Sequence, residues 1–210
     1  MSTRAGSRWR YVWIFLAALL LIASFYFDAA VQSWMLTHQT AGAKAFMQFV
    51  SRWGDWPSHI IAGLIGGGIA YAAKSRAWLA IFAAMLLACA SAGVVNRIIK
   101  ISAGRSRPAV EVDAGWKSFR FSSNYNAFPS GHTAASSGFF AALFFARRRI
   151  ALALLAIPLL IAASRLYLNA HHLSDVVCAA ILGVLCGWMA WRFVAARTGR
   201  AADEAQNGSA

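Results

Sequence analysis

The stretch NAFPSGHTAASSGFFAALFFARRR, Asn126 to Arg149, decides the fold class. Thr133 to Ala146 carries no charge, and three arginines follow it. An uncharged apolar run closed by a basic cluster is the pattern of a helix that enters a bilayer and leaves its arginines on the inner side. At the other mouth of the run stand a proline, a glycine and a histidine. A titratable imidazole in that place calls for a chemical reason.

Five more apolar runs surround this one: Tyr11 to Phe27, Ile60 to Ala73, Ala77 to Val95, Ile150 to Ala163 and Val176 to Trp191. Together they predict an all-α fold, a polytopic membrane bundle with six transmembrane helices. Several runs are shorter than the ~20 residues a lone helix needs, so their ends must borrow Gly, Ser, His or Trp and pack inside the bundle. The first run exceeds the apolar core of a signal peptide, and Phe25, Tyr26 and Phe27 crowd the place where a peptidase would cut. The short connections predict one domain over 1–198, with 199–210 as a disordered polar cytoplasmic tail.

Composition agrees with lipid. Of 210 residues, 60% are hydrophobic and 13% charged, far from the usage of a soluble domain. The net charge of +13 raises the question of nucleic acid, but the basic residues are dispersed and form no single stripe. Arg4, Arg8 and Arg10 precede the first run, Lys74 and Arg76 follow the second, Arg147 to Arg149 follow the fourth, and Arg192, Arg197 and Arg200 close the last. These are alternate ends, which places both termini in the cytoplasm. Trp53, Trp56, Trp116, Trp188 and Trp191 fall near run ends as interfacial anchors. Cys89, Cys178 and Cys186 lie inside apolar runs as small hydrophobes, with no disulfide framework. GLIGGGIA, within the second run, reads as close helix packing and not as a phosphate loop.

Three connections then face outward, about Ala30 to His59, Ile101 to Pro129 and Leu166 to Ser174. Lys100, Arg105, Arg107, Lys117, Arg120 and Arg165 sit on that side against the simple charge bias. Charges retained there point at a site.

Three clusters define it. In KISAGRSRP, Lys100 to Pro108, a lysine supplies a point charge and Arg107 a planar fork, which suit a tetrahedral oxyanion; two snorkelling cations at a boundary would read the same way. In PSGH, Pro129 to His132, the turn opens a helix, and N–H groups at a helix start attract anions, although Ser130 could be only a cap. In SRLYLNAHHLSD, Ser164 to Asp175, His171 and Asp175 stand one helical turn apart. The carboxylate can there accept from one imidazole nitrogen while the other stays available as a nucleophile. Asp175 is the only acidic residue between Asp113 and Asp203. Two histidines and a carboxylate could also bind a metal, but Lys100, Arg107 and Arg165 would repel a divalent ion and attract an anion.

The order and internal spacing of K-x6-RP, PSGH and SR-x5-H-x3-D resemble the three-part signature of the type 2 phosphatidic acid phosphatase (PAP2) family. The resemblance covers Lys100 to about Leu185. It implies removal of phosphate from a lipid through a phosphohistidine, without metal or other cofactor. By motif, His171 resembles the nucleophile, Asp175 its orienting partner and His132 the acid for the leaving oxygen. Lys100, Arg107, Ser130, Gly131 and Arg165 resemble the phosphate cradle. Many relatives carry an aromatic residue and a proline after the nucleophile, where this chain has His172 and Leu173, a departure that bears on headgroup preference.

The expected protein is a lipid phosphatase of the bacterial inner membrane, its site facing the periplasm or exterior. Its substrate would be a lipid phosphate or diphosphate such as undecaprenyl diphosphate, phosphatidic acid, phosphatidylglycerol phosphate or lipid A. A lipid phosphotransferase would use the same residues. A non-catalytic lipid transporter would place its charges nearer the bilayer midplane. The expected partners are the lipid substrate and its membrane, with no nucleic acid.

Overall fold

The computed structural model describes residues 3–110, 114–119 and 121–207, with side chains from 11 to 199 within those spans, so Asp113 and Arg120 lie outside it. The described chain is helical, with a single bridge between Arg105 and Trp116. In order come α1 (Thr3–Tyr26), α2 (Asp28–Thr37), α3 (Ala41–Trp53), α4 (Trp56–Ala72), α5 (Arg76–Ala103), a 3-10 turn (Ser123–Tyr125), α6 (Gly131–Ala146), α7 (Arg148–Ala153), α8 (Ala156–Tyr167) and α9 (Leu173–Asn207).

Helix boundaries follow from local chemistry. Thr40 caps α3 through its hydroxyl, and Asp55 caps α4 by accepting the Trp56 N–H at 2.8 Å. Gly104 closes α5 in the left-handed region, at φ 54°, a conformation that a residue without Cβ adopts at little cost.

Two predicted features change. The connection at 30–59, read as an outward loop, contains α2, α3 and the start of α4. These helices escaped notice because neither α2 nor α3 is a continuous apolar run. The run at 150–163, read as one span, is divided into α7 and α8 around Leu154 and Leu155. Pro158 then falls in the first turn of α8, where its missing N–H leaves no bond unmade.

By length and composition α5 and the Leu173–Gly199 part of α9 can each cross a membrane, and α1 with α2, bent by 57°, makes a third if the pair is one span. Tyr11, Trp13, Ile14, Phe15 and Ile22 of α1 all point outward and are exposed, an arrangement suited to lipid and not to water. Beyond Gly199, α9 runs on as helix to Asn207, into the segment expected to be a disordered tail, and 208–210 lie outside the described residues.

The centre of the bundle is α6, packed between α5 and α9, and it is built from small residues. Ala84, Ala88 and Ala92 of α5 and Ala134, Ala135 and Ala142 of α6 are all buried. Gly138 abuts the Ala88 carbonyl, while Gly183 and Gly187 of α9 press against the α6 backbone. Without a hydrophobic drive between helices in lipid, such backbone approach supplies the dispersion contacts that hold them. The glycines of α4 act alike at two points, Gly63 under Leu86 and Gly66 under Phe82.

This packing sets the polarity of the bundle. The Ser130 N–H donates to the Asp175 carbonyl at 3.1 Å and Lys100 Nζ donates to the Asn126 carbonyl at 2.5 Å, so α6 and α9 start, and α5 ends, at one place. Arg147 to Arg149 lie at the other end of α6, about 24 Å away by helix rise.

A Cβ added at Gly183 would lie 2.7 Å from the Ala134 carbonyl oxygen, and one at Gly68 would meet nothing within 4 Å. We expect Gly183→Ala to cost about 1–3 kcal/mol through overpacking and Gly68→Ala to be neutral or slightly stabilising. Thermal unfolding followed by circular dichroism in detergent measures both.

Candidate active site

All three sequence clusters, with parts of α2, α3 and the α3–α4 turn, meet at the end of the bundle where α6 and α9 begin. The turn after α8 is secured by the Leu168 N–H on the Ser164 carbonyl and by the Ala170 N–H on the Arg165 carbonyl. It delivers His171 inward, where the side chain is only 4% exposed as a residue. His171 Nδ1 lies 2.7 Å from the Ala127 carbonyl oxygen. A carbonyl can only accept, so Nδ1 carries the proton and the neutral ring keeps its lone pair on Nε2.

Asp175 was expected to be the partner of that imidazole. Its Oδ2 lies 3.6 Å from Nδ1, beyond hydrogen-bond distance, and accepts instead from the His172 N–H at 2.7 Å. The carboxylate therefore acts on His171 through its charge and through the turn it braces. Burial, reinforced by the Lys100 and Arg165 charges and opposed by Asp175, pushes the His171 pKa down to about 4. The ring is neutral at physiological pH.

Arg105 holds the arrangement together, and the sequence showed it only as one more outward cation. Its guanidinium donates to Asp175 Oδ1 at 2.6 Å, to Asp28 Oδ2 at 2.7 Å and to the Ser174 hydroxyl at 2.7 Å. Asp28 in turn accepts from the Ser174 N–H at 2.8 Å and from its hydroxyl at 2.6 Å. The rings of Trp116 and Phe25 lie over the guanidinium at 5.0 and 5.4 Å, shielding it from water. Asp28 was visible only as the residue ending an apolar run.

The three cations singled out for the site behave differently from Arg105. Among the described residues none of Lys100, Arg107 and Arg165 forms an ion pair with a carboxylate. Lys100 donates to the Asn126 carbonyl, Arg107 Nε to the Ser123 carbonyl at 2.9 Å, and Arg165 to the Ser51 hydroxyl. Arg165 Nε is buried without any partner. The charges are close enough to repel one another, Lys100 and Arg165 each feeling Arg107. Lys100 is buried and Arg107 and Arg165 are partly so, and like charges gathered this closely are costly unless an anion joins them.

His132 stands in the first turn of α6, its Nδ1 3.5 Å from Asp55 Oδ1 and its ring within reach of the Arg165 and Lys100 charges. Asp55 belongs to the segment expected as a loop and was not singled out. Of the N–H groups expected for the helix start, that of Ser130 is already engaged by the Asp175 carbonyl. Its hydroxyl, fully buried, accepts from Thr133 Oγ1 at 3.1 Å and keeps its own hydrogen to donate. Gly131 faces Asn96 of α5, one turn before Lys100, whose amide nitrogen is buried without a partner. Asn96 is a second polar group that periodicity alone could have placed on the Lys100 face.

Known proteins share this architecture and these sequence features. A family model described as the PAP2 superfamily matches residues 78–199. A decaprenylphosphoryl-5-phosphoribose phosphatase of Mycolicibacterium smegmatis is 36% identical over 138 residues, 65% of this chain and 68% of the relative. A lipid A 1-phosphatase of Rhizobium etli is 36% identical over 101 residues, which span 46% of this chain and 41% of the relative. Among solved structures, the first transmembrane PAP2 type phosphatidylglycerolphosphate phosphatase from Bacillus subtilis superposes with TM-score 0.65 at 20% identity, covering 86% of this chain and 92% of that one. Aquifex aeolicus LpxE superposes with TM-score 0.54 at 17% identity, over 79% of this chain and 94% of that one.

Two outcomes follow from the geometry and from the burial of His171. Nitrogen NMR of labelled histidine should find the His171 proton on Nδ1 at pH 7, with charging only near pH 4; a proton on Nε2 would contradict the Ala127 contact. Arg105→Met leaves Asp28 and Asp175 facing one another without a counter-charge and should cost about 3–5 kcal/mol. Adding Asp28→Asn should recover part of that loss, as a double-mutant cycle of unfolding would show.

Proposed function

The chain belongs to the PAP2 superfamily and is a lipid phosphatase of that family, and from this premise we propose that His171 Nε2 takes the phosphoryl group of a lipid phosphate at the outer membrane face. The observation that carries the reading is the pairing of a buried neutral imidazole, its Nδ1 committed to the Ala127 carbonyl, with three cations that lack carboxylate partners.

Lys100, Arg107 and Arg165 hold the non-bridging oxygens, assisted by the Ser130 hydroxyl and the amide of Gly131, and stabilise the charge spread over them in the transition state. Nε2 bonds to phosphorus as the bond to the lipid oxygen breaks, the electron pair leaving with that oxygen. His132 gives the oxygen a proton. Asp175 stabilises the positive charge that the His171 ring acquires. Water then attacks the phosphohistidine while His132 takes a proton from it, and inorganic phosphate departs with His171 restored. No metal is needed for these steps, because the cations and amides neutralise the phosphate.

Six crossings suit this chemistry: α1, α4, α5, α6, the α7–α8 pair and α9, forming a single domain over 1–198. The Asp55–His132 contact supports the count, since it sets the start of α4 at the same end as the start of α6. Both termini then lie in the cytoplasm and the site opens to the periplasm or exterior of a bacterial inner membrane. The names of the relatives favour a lipid-linked phosphomonoester over a diphosphate. The bilayer delivers it laterally to the site.

Phosphate release from lipid-linked phosphomonoesters in detergent, with chelator present, tests the reading. The native chain should turn over, His171→Ala should lose about 10⁴-fold or more and His132→Ala about 10²–10⁴-fold. Turnover by His171→Ala at the native rate would reject the covalent route.

A further inference from the structure

We infer that Asp55 is the positioning residue for His132, holding the Nδ1 proton of that ring so that Nε2 faces the leaving oxygen; this rests on the phosphatase reading above. Asp55 and the residue before it are fixed by contacts unrelated to His132. Its Oδ1 caps α4 on the Trp56 N–H at 2.8 Å, and its carbonyl accepts from His59 Nδ1 at 3.0 Å. The preceding Gly54 sits against Ile161 of α8 so closely that a Cβ would approach Ile161 Cγ1 to 2.5 Å. His59 is itself buried and meets the edges of Phe139 and Phe140 of α6 at 5.2 and 6.0 Å between ring centres. The turn is thus locked to the helix that carries His132.

From this turn Asp55 Oδ1 reaches to 3.5 Å from His132 Nδ1, with its side chain 38% exposed. The other charged groups facing that imidazole are Arg165 of α8 and Lys100 of α5, both cations. Both repel a charged ring, and Asp55 is the carboxylate that opposes them. A contact of 3.5 Å is long for a hydrogen bond in the absence of substrate, and catalytic contacts of this kind shorten when the reacting complex forms. An acceptor on Nδ1 commits the transferable proton to Nε2, the nitrogen distant from the α4 turn.

Each ring thus has a carboxylate near Nδ1, Asp175 at 3.6 Å from His171 and Asp55 at 3.5 Å from His132. His171 has a backbone carbonyl, which fixes its tautomer without adding a charge and leaves the ring a neutral nucleophile. His132 has the Asp55 carboxylate beside the Ser51 backbone carbonyl, and the charge on Asp55 steadies the protonated ring that an acid must become.

The test compares substrates that differ in their need for an acid. An alkyl lipid phosphate requires a proton on its leaving oxygen, whereas 4-nitrophenyl phosphate releases a stable phenolate. Asp55→Asn and Asp55→Ser both keep an N-cap for α4, so unfolding temperatures should stay close to native. Single-turnover phosphoryl transfer from the lipid should fall about 10–100-fold in both variants with KM little changed, and transfer from 4-nitrophenyl phosphate should fall less than about threefold. Equal losses on the two substrates, or no loss on the lipid, would overturn the role of Asp55 alone. A native chain that cleaves neither substrate overturns the phosphatase reading with it.

Discussion

One guanidinium carries the architecture of the site. Arg105 joins Asp28, 77 positions upstream, to Asp175, 70 positions downstream, and both ion pairs are nearly sealed from water. Desolvating two carboxylates around one cation is tolerable only because every oxygen is met by a donor, with Ser174 completing the set. The result is a rigid joint between the α1–α2 bend, the loop after α5 and the start of α9. Once Asp175 is held, it braces the turn through the His172 N–H, and that turn presents His171 to the Ala127 carbonyl. The orientation of the His171 ring is thus inherited from a charge network centred on Arg105.

That network also explains why neighbouring cations play different parts. Arg105 already faces two carboxylates and is shielded by aromatic rings, so its charge is answered within the protein. Lys100, Arg107 and Arg165 spend only part of their donor capacity on neutral oxygens and, among the described residues, pair directly with no carboxylate. The scaffold can tolerate them because the helices beneath are packed on small residues, which leaves the polar groups at the bundle's mouth and the apolar surface for lipid. A phosphate that neutralises the cluster stabilises the protein as it binds.

Much of this was legible in the sequence, for reasons particular to each residue. Lys100, Arg107, His132, Arg165, His171 and Asp175 fall at ends of apolar runs, where a charge or imidazole conflicts with the surrounding pattern and so announces itself. The helical character of the chain and its membrane segments came from hydropathy in the same way. Arg105 and Asp28 did not stand out as a pair, because their meeting depends on tertiary packing and no local period links them. The Ala127 carbonyl could not stand out at all, since a backbone acceptor has no side-chain signature. Asp55 was hidden in a segment read as a loop, although the order Asp55, Trp56, Pro57 is a helix-start pattern that would have placed a carboxylate at the mouth of α4.

The most direct measurement is mass spectrometry of the protein quenched in alkali during turnover of a lipid phosphate, since a phosphoramidate survives alkali. A phosphoryl group on His171 at Nε2, enriched when His132 is replaced by a residue unable to activate water, is the expected result. A phosphoryl group on His132 or His172, or none on any histidine while phosphate is being released, would contradict it.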